Sequence, residues 1–156
     1  MNSSALCSLN SFLRAAAVFA GGALLFVQAE AAVPNPCSLV TAAEMQAIVG
    51  KLSGTPKATD PASGEVSCTF EPVNGPSFID VSLHDGDLKA WKTRNGGKTP
   101  VSLPELGADA FANPSDNDWV DLYAKKGAVI VRVTMPTGPK SMDMAKAIAK
   151  TALSRL

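Results

Sequence analysis

Hydrophobic and polar positions alternate most clearly over residues 119–135. Residues 119–124 and 128–135 are two β-branched and aromatic runs, joined by Lys125-Lys126-Gly127. The glycine stands where a hairpin loop needs positive φ, so the pattern predicts a hairpin with a three-residue connection. In its second strand Val129, Val131, Val133 and Met135 share one face, and Ile130, Arg132 and Thr134 share the other. Directly afterwards the period changes. Ala145, Ile148, Ala149, Ala152, Leu153 and Leu156 recur at helical spacing. A half-apolar sheet and a striped helix bury each other, so hairpin plus helix is the expected core module.

The remaining elements follow from shorter signals. Thr41 with Glu44 three residues on is a capping box, Val40 and Met45 sit where a hydrophobic staple would, and Gly50 ends the stripe of Met45, Ile48 and Val49. Residues 51–65 are polar and broken by Gly54, Pro56, Pro61 and Gly64, which predicts a mobile loop. Residues 66–71 and 77–84 form a second strand pair around the turn dipeptide Asn74-Gly75. Ile79, Val81 and Leu83 there alternate with Asp80, Ser82 and His84. Asp87 can cap a short helix carrying Leu88 and Trp91, closed by Asn95-Gly-Gly97. A proline-broken connector over 101–111 leads to a short strand near Ala110 and Phe111, and residues 113–118 are a polar turn. The predicted fold is α+β: an antiparallel sheet of about five strands with helices on one face, in the order α-β-β-α-β-β-β-α.

Residues 1–31 stand apart. They begin with a segment whose single charge is Arg14, followed by thirteen uncharged residues, 15–27. That run is short for a ~30 Å bilayer core but suits the apolar region of a signal peptide, with small residues at Ala29 and Ala31 for cleavage after Ala31 or Ala32. An uncleaved anchor helix is the competing reading, opposed by the shortness of the run and its two glycines, Gly21 and Gly22. Residues 32–156 are then one domain, exported and periplasmic or extracellular, with no stable membrane span after cleavage. Once Arg14 and Glu30 are gone from the 14 basic and 14 acidic residues, thirteen of each remain. A balanced surface argues against a nucleic-acid binder.

Beyond the leader the cysteines are Cys37 and Cys68. An exported compartment allows them to form a structural disulfide. A buried free-thiol pair or a redox dithiol are the alternatives, and catalytic dithiols are usually closely spaced, as in Cys-x-x-Cys.

The run Pro36-Cys37-Ser38-Leu39-Val40-Thr41-x-x-Glu44, with Gly50 after the helix, resembles the opening of secreted DUF3558-type domains. Leu106-Gly107-Ala108-Asp109-Ala110-Phe111 is similar to their Gly-Leu-Gly-Asp-x-Ala-aromatic connector, and Cys68 matches their strand cysteine. The resemblance spans nearly all of residues 32–156. It implies a small bacterial envelope protein, related in style to extracytoplasmic sensor domains of receptor kinases, and carries over no catalytic residue. The chain departs from those relatives in lacking their common lipid-anchor cysteine.

Candidate chemistry is sparse. His84 is the single histidine, and His84-Asp-Gly-Asp87 could offer metal ligands, although a strand-end turn with a helix cap explains it as well. Asp116, Asp118 and Asp121 form an oxygen-rich group without the glycine and glutamate of an EF-hand loop. Neither a nucleophile elbow nor a phosphate loop is present. We therefore expect no catalytic residue, no metal and no cofactor. Binding is the better class: Trp119 and Tyr123 share one strand face with Asp121 between them, and Trp91 lies in a basic stretch of Lys89, Lys92, Arg94 and Lys98. If that strand face turns away from the helices, it is an aromatic-acidic surface for an envelope protein or polymer. If it is core, Val120, Leu122 and Ala124 face outward or into a second layer. The expected function is an exported, non-enzymatic binding or sensor-like domain. The alternatives are a hydrolase or metal-dependent enzyme using His84 and the acidic turn, and a secreted inhibitor or structural partner.

Overall fold

The computed structural model describes residues 34–59, 66–93, 99–114 and 118–156. In chain order the elements are α1 (Pro36–Leu39), α2 (Ala42–Val49), β1 (Lys57–Ala58), β2 (Val66–Phe70), β3 (Ile79–Asp85), α3 (Leu88–Thr93), β4 (Val101–Ser102), a 3-10 turn (Pro104–Leu106), β5 (Phe111–Pro114), β6 (Trp119–Lys126), β7 (Val129–Pro136) and α4 (Ser141–Ser154).

The local rules that predict α2 are all present in it. Thr41 Oγ1 accepts from the Glu44 N–H, and Glu44 Oε2 accepts from the Thr41 N–H at 2.9 Å. Val40 and Met45 are both fully buried at that start, and Gly50 leaves the helix at φ +87°. One turn earlier, Asn35 caps the short α1, with Pro36 at its first position; the sequence reading had no element there. Cys37 in α1 is bonded to Cys68 in β2, so the disulfide ties the first helical turn to the sheet.

The strands form one antiparallel sheet in the order β1-β2-β3-β7-β6-β5-β4. Among the described residues seven strands replace the five or so expected. The two additions are the edges, each only two residues long. β1 comes from the polar segment expected to be a loop. Lys57 and Ala58 pair with Thr69 and Cys68, and Lys57 binds Glu71 at 2.7 Å. Two residues with no alternation leave no period-2 signal to read. β4 hides in the proline-broken connector in the same way.

β6 and β7 pair as far as Lys126 opposite Val129, so the loop is Gly127-Ala128, two residues rather than three. Gly127, at φ +60°, takes the first central position, which suits the strand twist of a II′-type turn.

The alternation sorts the sheet into two faces. On one, Phe70, Ile79, Val81, Leu122, Val131, Val133 and Met135 are fully buried against α1, α2 and α4. α4 contributes Ala145, Ile148, Ala149 and Ala152, as its spacing predicts, and Leu153 and Leu156 pack at its margin. Arg155 fixes the end of α4 by donating to the Leu39 carbonyl at 2.6 Å and to both carboxylate oxygens of Glu44. The helices are not all on this face. α3 lies on the other, where Leu88 and Trp91 pack with Phe111, Tyr123 and Ile130. An apolar pair on a six-residue helix states that it needs cover, not which side of a sheet supplies it.

Four expected features fall on residues outside those described: the leader over residues 1–31, the Asn95-Gly-Gly97 helix stop, the part of the 51–65 loop from residue 60 on, and Asp116 of the acidic turn.

Candidate functional site

The sheet face turned away from α1, α2 and α4 carries the polar and aromatic side chains that the main core leaves over. Strand register arranges them in ranks. Asn113, Asp121, Thr134 and Asp80 stand directly opposite one another across β5, β6, β7 and β3. The next rank is Phe111, Tyr123, Arg132 and Ser82, and the one after holds Lys125, Ile130 and His84. On the other side of the polar rank, Trp119 is opposite Pro136.

The polar rank is tightly bonded at its centre. Arg132 donates to Asp121 Oδ1 from Nε at 3.0 Å and from Nη2 at 2.8 Å, and the Thr134 hydroxyl donates to the same oxygen at 2.7 Å. The Asp121 side chain is 17 % exposed and that of Arg132 28 %, so the ion pair is partly withdrawn from water and screened less than a surface pair. Arg132 also lies over the Tyr123 ring, 5.7 Å from its centroid. Asn113 is 5 % exposed, and neither its side-chain oxygen nor its nitrogen has a hydrogen-bond partner; in the same rank Asp80 Oδ1 is likewise buried without one. Buried amides are normally satisfied, so this one calls for an explanation.

Aromatic groups flank the rank on both sides. Phe78, just before β3, lies 5.0 Å from the half-exposed Trp119. On the other side Phe111 stacks on Tyr123 at 4.9 Å, Trp91 of α3 lies against Tyr123 at 5.5 Å, and His84 meets Trp91 at 4.8 Å. Burial pushes the Tyr123 phenol above its ordinary range, with Arg132 acting in the opposite sense and Asp121 adding to the rise.

All four residues proposed from sequence for binding, Trp119, Asp121, Tyr123 and Trp91, therefore share one sheet face, while Val120, Leu122 and Ala124 fill the main core. Within that set Tyr123 differs from expectation. At 2 % exposure it is a packed platform under Trp91 and Phe111, not an open contact. Asn113 reads in the sequence as part of a turn, and no local signal marks Arg132, Thr134 or Phe78 as site residues. A register argument finds two of them. With the hairpin loop in place, Thr134 falls opposite Asp121 and Arg132 falls opposite Tyr123.

Of the enzymatic alternative, His84 and Asp118 are described and lie far apart. His84 Nε2 is bonded to Ser82 Oγ at 3.0 Å, in the rank of Lys125. Asp118 lies seven residues from Lys125 along the chain into β6, ~24 Å away at the rise of an antiparallel strand. Among the described residues, no three His, Cys, Asp or Glu side chains group to hold a metal. Of the basic stretch, Lys92 lies over the Phe111 ring at 5.1 Å, and Arg94 and Lys98 are outside the described residues.

A groove of about 560 Å³ opens at the Trp119 end of the sheet. Val49, Pro76, Pro136, Pro139 and Met144 line it, and Pro136 is the register partner of Trp119.

No family model matches the chain, and no curated protein matches it. Among solved structures, the crystal structure of a GTP binding regulator from Thermotoga maritima matches at a TM-score of 0.40 and 16% identity, over 77% of this chain and 93% of that one. At that score the likeness carries no weight for fold or function.

Proposed function

We propose that the chain is an exported, non-enzymatic binding domain of the bacterial cell envelope, and that it takes its ligand on the sheet face bearing Trp119. The observation that carries this reading is the composition of that face. Two half-exposed indoles bracket a rank of hydrogen-bonding groups on a sheet surface where α3 is the one described helix. A face serving stability alone would be solvated and charged, or covered and apolar. This one combines large amphipathic rings with few, fixed polar groups, as binding sites do.

Export is supported by the leader-like residues 1–31 and by a disulfide of the kind an oxidising compartment sustains. Among the described residues no helix is long and apolar enough to cross a membrane. The resemblance to DUF3558-type domains agrees with an envelope location. The order it implies, a cysteine before a capped helix and a second on an early strand, is the order of Cys37, α2 and Cys68 here.

The test is retention. The immobilised chain is exposed to the envelope fraction of its source cell, and the bound protein and polymer components are separated and identified. A specific component is expected to stay bound to the native chain and to be lost from a folded Trp119→Ala variant. Equal retention by both would remove the sheet face from the reading. A bound protein whose own activity drops would move the chain to the inhibitor class.

A further inference from the structure

The connection between β2 and β3 is fastened at its ends and free in its middle, where Asn74 and Gly75 stand. Pro72 bridges to Leu52, and the Val73 N–H donates to the Lys51 carbonyl at 2.8 Å. The sheet resumes at Ile79, the first residue of β3. Between these anchors residues 73–77 are bends, and neither the Asn74 side chain nor the Gly75 N–H hydrogen-bonds to any described residue. Asn74 and Gly75 are both exposed. Gly75 has a φ of +102°, and beyond its chain neighbours nothing stands within 4 Å of where a side chain on it would begin.

We infer that Asn74 is a self-modification site, at which the Gly75 nitrogen closes on the Asn74 side chain and water reopens the ring to isoaspartate and aspartate. The chemistry is redox-neutral and needs water alone. The Gly75 N–H gives up its proton and its nitrogen bonds to Asn74 Cγ, while the Cγ–Nδ2 bond breaks and ammonia leaves with that proton. Water then cleaves one of the two C–N bonds of the five-membered imide, and a carboxylate remains. Attacker and target belong to adjacent residues, so the reaction is intramolecular and depends on access and freedom rather than on encounter. A hydrogen-bonded amide would hold its proton, a side chain on residue 75 would crowd the ring, and burial would keep water out. Asn74-Gly75 has none of these obstacles. The other described asparagines do. Asn35 and Asn113 each precede a proline, whose nitrogen carries no hydrogen. Asn35 Oδ1 also accepts from the Cys37 N–H, and Asn113 is buried. The consequence is electrical. Asn74 lines the groove of about 560 Å³, and among the described residues lining it Lys140 is the charged one. Exchanging the neutral amide for a carboxylate turns a lining with one positive charge into one with a balanced pair.

The experiment is incubation of the folded chain at mildly alkaline pH, beside the same chain unfolded in urea. Peptide mass mapping follows, with fragmentation that tells isoaspartate from aspartate at position 74. In the folded chain Asn74 is expected to lose its amide nitrogen, with both products present, before any change is detectable at Asn35 or Asn113. In Asn74→Gln the extra methylene disfavours the five-membered ring, and the change at that peptide should vanish. The inference is overturned if Asn74 stays intact in the folded chain, whether or not it converts in urea. It is overturned as well if aspartate forms without isoaspartate, or if Asn74→Gln reacts as fast as the native residue.

Discussion

Glu44 is held by groups from two ends of the chain, and its titration reports on that clasp. The Arg155 guanidinium, then the Thr41 amide and hydroxyl, lower its carboxyl from 4.5 to about 2. A folded-state value below the unfolded one means that its stabilisation is complete above pH 4.5 and is lost as the pH falls toward 2. The melting temperature is expected to drop through that window, and Glu44→Gln should make the drop shallower. An unchanged acid limb would mean the clasp contributes nothing. Tyr123 gives a matching test in alkali. It is the single tyrosine, so phenolate absorbance reads it alone. Its raised value predicts ionisation above pH 10, and stability lost as the pH rises from there, because the unfolded chain gives up the proton first. Thr41 and Glu44 were legible in the sequence because a capping box needs only local spacing. Asn113 was not: asparagine is a common turn residue, and only the register with Asp121 shows it inside a sheet.

Elements with internal periodicity were readable, and those made by pairing alone were not. α2, α4, β3 and β7 each carry a stripe or an alternation that names their buried side, whereas the alternation of β6 announces a strand and leaves both of its faces open. β1 and β4 are strands because a neighbour offers free backbone groups, so nothing in Lys57–Ala58 or Val101–Ser102 announces them. The link between α1 and β2 can be tested directly. Cys37 and Cys68 are 31 residues apart, and closing a loop of that length stabilises by ~3–4 kcal/mol on the chain-entropy model. The Cys37→Ala, Cys68→Ala double variant is expected to lose about that much in denaturant titration; no loss would make the bridge idle. In the hairpin, Gly127→Ala forces a side chain to φ +60° and should cost ~1–2 kcal/mol, read from the same midpoint shift.

At the scale of the molecule, the α+β class was legible from amphipathicity alone, while the layer order was not. Leu88 and Trp91 show that α3 must bury something, but the choice of face depends on Phe111, Tyr123 and Ile130 standing together across three strands. Proposed export gives a prediction here as well. The chain recovered outside the cell is expected to begin at residue 32 or 33, as read by intact mass; recovery with Met1 attached would remove the leader from the account. The strand order adds a point about timing. β7, near the end of the chain, sits between β3 and β6, so Asp80 waits for Thr134 and Val81 for Val133. A chain emerging N-terminus first has a gap at the middle of its sheet until those residues arrive. Contacts of such sequence separation are slow to form. The fold thereby delays its own completion, and under the proposed export the polypeptide would stay threadable until β7 emerges.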